Sequence, residues 1–220
     1  MDLLEYSNTN KINSGEGPNR LEQWSIRFNT VSQWVSTMIV SQEELPARTL
    51  ILKQFIKLGW ICLMLNNFNT SYAIFASLFS HAISRLKNTW KELSPATDDK
   101  FKRLVFVFDT VAGHRNYRTE LAKAKPPIIP WLGIYTKDIF STKEHNPDLV
   151  AGSLINFDKF STLVRIIRDV FKLQSVPYNF PPDSAAKQFL TDLKVCFFFF
   201  YFFYFFLFFA KYFSGYKGDE

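Results

Sequence analysis

From Phe157 to Gln174 the residues Phe160, Leu163, Val164, Ile167, Val170 and Phe171 fall at helical spacing, with Asp158, Arg165, Arg168, Asp169 and Lys172 between them. That pattern gathers apolar side chains on one side only if the segment is an α-helix. It predicts an amphipathic helix over 157–174 and a core for it to lie against. Arg48–Phe68 has a wider apolar face, as for a helix covered on most sides, and Thr70–Trp90 begins in the same way. A turn is expected at Ser80 and His81, followed by a short helix. "SPATDDKF" carries start signals: Pro95, Thr97 as cap, and Asp98 and Asp99 in the first turn, where the helix dipole favours acids. No series of period-two strands and no internal repeat appears. An all-α helical bundle is the expected fold.

The 220 residues suit one domain with appendages. Residues 1–22 are polar and rich in Asn, Ser and Gly, and read as a disordered lead-in. They lack the basic and apolar stretches of a secretory signal. The formal charge is +6, yet Lys/Arg and Asp/Glu are interspersed. No basic block follows a phosphate backbone, which argues against nucleic acid as a partner. Cys62 and Cys196 suggest neither a disulfide framework nor a metal site, and suit a reducing, cytoplasmic compartment. His81, His114 and His145 are scattered, and no phosphate-cradling glycine loop or nucleophile elbow is present. The sequence offers no machinery for covalent catalysis and implies no cofactor. Any activity would work through binding and conformational shift rather than as an enzyme's bond chemistry.

Lys125–Leu149 departs from the helical blocks. Its prolines force an extended entry. Trp131, Ile134, Tyr135, Asp138 and Ile139 then sit at helical spacing until "EHNPD" ends the run. This is expected to be a helical excursion protruding from the bundle.

Several stretches together resemble the catalytic domain of Ras-type guanine nucleotide exchange factors, the RasGEF domain. They are "RFNTVSQWVSTMIV" (27–40), "LNNFNTSYAI" (65–74), "ISRLKNTW" (83–90), "NYRTEL" (116–121), "PPIIPWLGIYTKDI" (126–139), "LINFDKF" (154–160) and "FKLQSVPYNF" (171–180). Their order and gaps match the family over about 23–193. The resemblance implies a helical bundle that binds a Ras-like small GTPase and releases its nucleotide. A helical hairpin, here the proline-bracketed excursion, wedges under switch 1, and a bowl of core helices holds switch 2.

Carried over by position, the resemblance puts Phe140 at the apolar site that disturbs Mg²⁺, where the family usually has Leu. Glu144 takes the acidic site that competes with the α-phosphate, though "STKE" (141–144) also fits a capping box. Asn146 matches a family Asn, or simply stops a helix before Pro147. Trp131 lies at the hairpin base, as a GTPase contact or as core. Asn67 and Asn69 sit among apolar residues, where an unpaired amide is costly, and either bond switch 2 or brace a helix end. Tyr117 and Arg118 lie near the bowl, or brace it. Trp34 is a further contact candidate. Arg85 and Trp90 are expected to fix the fold.

The family's domain usually has helices before its Arg-Phe-Asn motif and a final helix after its Tyr-Asn segment, so the domain here is expected to be cut short at both ends. An inactive or binding-only fragment is one alternative. Another turns on 194–220, the Phe-rich tail. Val195–Ala210 would span about 24 Å as a helix, against about 30 Å of hydrocarbon core. Extending it to Phe213, with Lys211 snorkelling, leaves membrane attachment through 195–213 open. Phe, Tyr and Leu are also what T-rich codons give, and a translated intron is the reading preferred over an anchor.

Overall fold

The computed structural model describes residues 20–193. Ten helices run through them: α1 (Arg20–Val40), α2 (Leu45–Met64), α3 (Phe68–Leu78), α4 (His81–Ser84), α5 (Lys87–Lys91), α6 (Pro95–Phe108), α7 (Val111–Lys123), α8 (Leu132–His145), α9 (Phe157–Leu173) and α10 (Ser184–Thr191). Two short strands, β1 (Leu149–Val150) and β2 (Leu154–Ile155), pair antiparallel between α8 and α9. The fold is all-α, as the periodicity requires. The Phe-rich tail and residues 1–19 of the lead-in lie outside the described residues, while residues 20–22, read as disordered lead-in, instead open α1, where Leu21 is buried. No helix among the described residues is long and apolar enough to cross a membrane.

Helix α2 is central. It packs on α3, α6, α5 and α1, which is why its apolar face is so wide. Gly59 lets two of these neighbours approach: a Cβ there would lie 3.2 Å from both Ile74 Cγ2 of α3 and Leu104 Cδ1 of α6. The Ser71 hydroxyl donates to Gly59 O at 2.9 Å across the same crossing. Two apolar clusters result. One joins α1–α4 through Val35, Ile39, Leu52, Phe55, Ile74 and Ile83. The other joins α3 and α6–α9 through Phe68, Phe108, Tyr117, Ile139, Leu163 and Val170.

Several local expectations change. The segment 48–68 is not one helix. It begins earlier, at Leu45 with Pro46 in its first turn, and stops at Met64. Asn66 takes φ 58, a left-handed conformation that Asn tolerates better than most residues, and Asn67 then opens α3. The cap position of α6 belongs to Ser94, not Thr97, and the two hydroxyls lie 3.0 Å apart. Trp90 does fix the fold, donating from its indole to Ile83 O at 2.9 Å and packing on Phe101. Arg85 is exposed. The arginine that ties this region is Arg48, through Thr89 Oγ1 at 3.0 Å and Gln42 O at 2.8 Å.

The hairpin also differs in composition. The excursion 125–149 supplies only its first arm, α8. The second arm is α9, with the β1–β2 ladder as the connection. Leu149 pairs with Ile155 and Val150 with Leu154, and Ala151 and Gly152 turn the chain with positive φ. All four strand residues are exposed, so no buried face imposed the period-two signal a strand normally leaves.

Candidate functional site

Trp131 holds the N-cap position of α8, and its indole lies so close to Gly133 that a Cβ there would sit 2.6 Å from Nε1. Leu132, Ile134, Tyr135 and Ile139 point inward and are buried. Burial pushes the Tyr135 phenol up to about 12. Past Ile139 no residue of α8 is fully buried. Phe140 is 58% exposed, and Glu144, four residues on and so on the same face, is exposed too. Ser141–Glu144 lie in the last turns of α8, so Glu144 is not an N-terminal capping acid. Asn146 is the residue that ends the helix, its Nδ2 donating to Thr142 O at 2.9 Å. Phe140, Glu144 and Asn146 are therefore together, at the far end of the first arm.

Trp131, Tyr117 and Arg118 form a second group, at the hairpin base. The Trp131 ring stacks on Tyr72 with centroids 3.8 Å apart, and meets His114 and Tyr117 edge-on at 5.0 and 5.9 Å. Trp131 N–H donates to the Tyr117 hydroxyl at 2.9 Å. Tyr117 is fully buried, which raises its phenol pKa. Arg118 donates from Nε to Gly113 O and from a terminal nitrogen to Asp138 Oδ1, both at 2.9 Å. These contacts tie α8 to α7 and hold a left-handed turn at Ala112, Gly113 and His114, with φ of 50, 66 and 62. Left-handed backbone costs roughly 1–2 kcal/mol for each non-glycine residue, so the ties have strain to oppose. His114 is buried with Nδ1 lacking a hydrogen-bond partner among the described residues, and burial, then Lys137 and Arg118, lowers its pKa.

A third group fixes how the chain enters the hairpin. Asn67 Oδ1 accepts from Thr70 N at 3.1 Å and caps α3. Ile129 N donates to Asn66 O at 3.0 Å, and Asn69 N donates to Ile129 O at 3.3 Å. Asn66 Nδ2 donates to Lys125 O at 2.9 Å, and the Tyr178 hydroxyl donates to Leu65 O. Asn67 thus braces a helix end, while Asn69, half-buried, joins the entry through its backbone N–H. Trp34 stands apart from all three groups. It packs edge-on against Phe55 and against Phe189 of α10.

The RasGEF domain profile matches residues 1–161. The chain belongs to the RasGEF domain family. It is 35% identical over 167 residues to Ras guanine nucleotide exchange factor D of Dictyostelium discoideum, covering 76% of this chain and 25% of that protein. It is 40% identical over 157 residues to factor J of the same organism, covering 71% and 19%. To the Ras-specific guanine nucleotide-releasing factor 1 of Rattus norvegicus it is 31% identical over 165 residues, covering 75% and 13%. The chain thus spans a quarter or less of these three relatives.

Within this RasGEF domain, the sequence pointed to one face too few. Tyr72, Phe75 and Phe79 follow at i, i+3 and i+7 along α3. Trp131 stacks on Tyr72, Tyr72 meets Phe75 at 6.0 Å, and Phe75 stacks on Phe79 at 5.4 Å. The ladder runs from the buried hairpin base to Phe79, which is exposed. Its spacing was visible in "SYAIFASLF", but nothing in one sequence separates an aromatic stripe that ends in the core from one that ends in solvent. Asn66 and Tyr178 were likewise missed, because their roles are contacts to backbone far along the chain.

Proposed function

We propose that this chain promotes nucleotide release from a Ras-like small GTPase, with the α8–α9 hairpin as the wedge. The observation that carries it is the pairing of Phe140 and Glu144 on one exposed face at the end of α8, beyond the last buried residue of that helix. Phe140 would displace switch 1 and crowd the Mg²⁺ site. The Glu144 carboxylate would stand where the nucleotide's phosphate belongs and repel it. Phe79, with Phe75 and Tyr72 behind it, offers an apolar, aromatic surface for switch 2. The residues at the hairpin base, Trp131, Tyr117 and Arg118, act by holding the wedge at its angle.

Such a protein breaks no bond. It binds the nucleotide-free GTPase more tightly than the loaded one, and linkage requires nucleotide affinity to fall by the same factor. Release of a fluorescent nucleotide from Ras-like GTPases measures this directly. Wild-type protein should accelerate release. Phe140→Ala combined with Glu144→Ala should remove tenfold or more of that acceleration, by roughly the scale of lost electrostatic and positioning terms. Because both side chains are exposed, the unfolding midpoint should hardly move. Nucleotide leaving equally fast with and without wild-type protein, from every Ras-like GTPase tried, defeats the proposal. Capture of nucleotide-free GTPase without faster release would reduce the chain to a binding module.

A further inference from the structure

The segment Asn156-Phe157-Asp158-Lys159 takes no part in the contacts proposed above, yet it holds the least expected side chain in the hairpin. Lys159 is 7% exposed. Its ammonium donates to Lys143 O at 3.0 Å and to Asn146 O, and pairs with Asp148 Oδ1 at 2.7 Å. Three donors meet three acceptors, the full capacity of the group. Two of those acceptors are carbonyls at the C-terminal end of α8, where the negative end of the helix dipole lies. Asn156 works beside it. Its Oδ1 caps α9 by accepting from Lys159 N at 3.2 Å, and its Nδ2 donates to Pro147 O at 2.9 Å.

The apolar cluster reaches only to Ile139 on α8 and Leu163 on α9. Toward the tip, α8 has no buried residue, and Phe157 and Phe160 of α9 are exposed. What joins the two arms there is the polar clamp. We propose that Lys159, assisted by Asn156, is a positioning residue for nucleotide exchange: it locks the end of α8 onto the start of α9 and so sets where Phe140 and Glu144 meet the GTPase. This rests on the exchange activity proposed above. Without the ammonium, two helix-end carbonyls and a carboxylate lose this donor, and the last turn of α8 loses its tie to α9.

The test uses the full chain with Lys159→Met, which keeps the length and apolar stem, with Lys159→Arg, and with Asp148→Asn, whose side chain is largely exposed and whose loss leaves both carbonyl bonds in place. Exchange is titrated against GTPase concentration, and amide hydrogen exchange is followed along the chain. Lys159→Met should lower kcat on the order of tenfold, since misplacing a working group by about 1 Å costs up to about a hundredfold, with KM little changed. Amides from Phe140 to Asn146 should exchange faster while those of α2 and α3 keep their protection. Lys159→Arg should recover part of kcat, and Asp148→Asn should show the same pattern more weakly. Wild-type kcat in Lys159→Met, or a raised KM with kcat intact, overturns the positioning role. If wild-type protein releases no nucleotide, the exchange proposal falls, and hydrogen exchange still decides the clamp: unchanged protection at 140–146 in Lys159→Met refutes it.

Discussion

Phe55 and Phe157 are the same residue in opposite surroundings. Phe55 of α2 is fully buried, edge-on to Trp34 and enclosed by Val35, Ile39, Leu52 and Ile74. Phe157 opens α9 at 77% exposure. The contrast extends to the regions they belong to. The α1–α4 cluster is held by close apolar packing, including the near contact at Gly59. The hairpin has buried apolar packing only at its base, and toward its tip its arms are joined by hydrogen bonds and one ion pair. Packing is cooperative and resists small displacements. Polar ties hold a position but lose only a modest net energy when broken. For the wedge proposed above, this division would provide a rigid base and an arm whose placement depends on a few directed bonds.

Substitutions can break the comparison. Phe55→Ala should have the largest effect, destabilising by about 3–5 kcal/mol through lost burial and the cavity left behind. Denaturant unfolding measures it, and a loss well below this range would mean that the core relaxes around the void. Tyr117→Phe should be intermediate. It removes the hydroxyl that accepts from Trp131 N–H, and an unsatisfied backbone donor in a half-buried site costs about 1–3 kcal/mol. The same variant sharpens the link between base and tip, because it should slow exchange even though Tyr117 itself is buried; unchanged exchange would confine it to stability. Phe157→Ala should be smallest, within about 0.5 kcal/mol, as for exposed positions without special contacts. A destabilisation as large as that of Phe55→Ala would show that the exposed side of α9 is covered in solution.

Helix α9 shows how far the sequence could be read. Its periodicity announced a helix, and the helix is there within a residue of the expected end. Yet of the stripe that defined it, Leu163, Ile167 and Val170 face the core while Phe160, Val164 and Phe171 stay exposed. Periodicity gives the angle between side chains, not the width of the neighbour that covers them. The opposite error lies at Lys159, which the pattern placed on no buried face and the fold encloses.

The site followed the same rule. Phe140 and Glu144 are four residues apart on one helix, so their shared face was implied by the sequence alone once the segment was read as helical. The bracing by Tyr117 and Arg118 was open, because their partners Trp131 and Asp138 lie further along the chain, whereas Asn67 caps its own helix through Thr70, three residues on.

The sequence by itself determined the all-α class and helices such as α9, the proline entry that sets α8 off from the bundle, and the order of motifs that places the chain in its family. These are properties of local spacing, and local spacing is what a chain carries before it folds. Only the tertiary structure decided that α9 is the hairpin's second arm, that an asparagine pair clamps its entry, and that a buried lysine closes its tip. Each of those depends on groups brought together from separate parts of the chain, where hydrogen-bond direction and the exclusion of water select the contact.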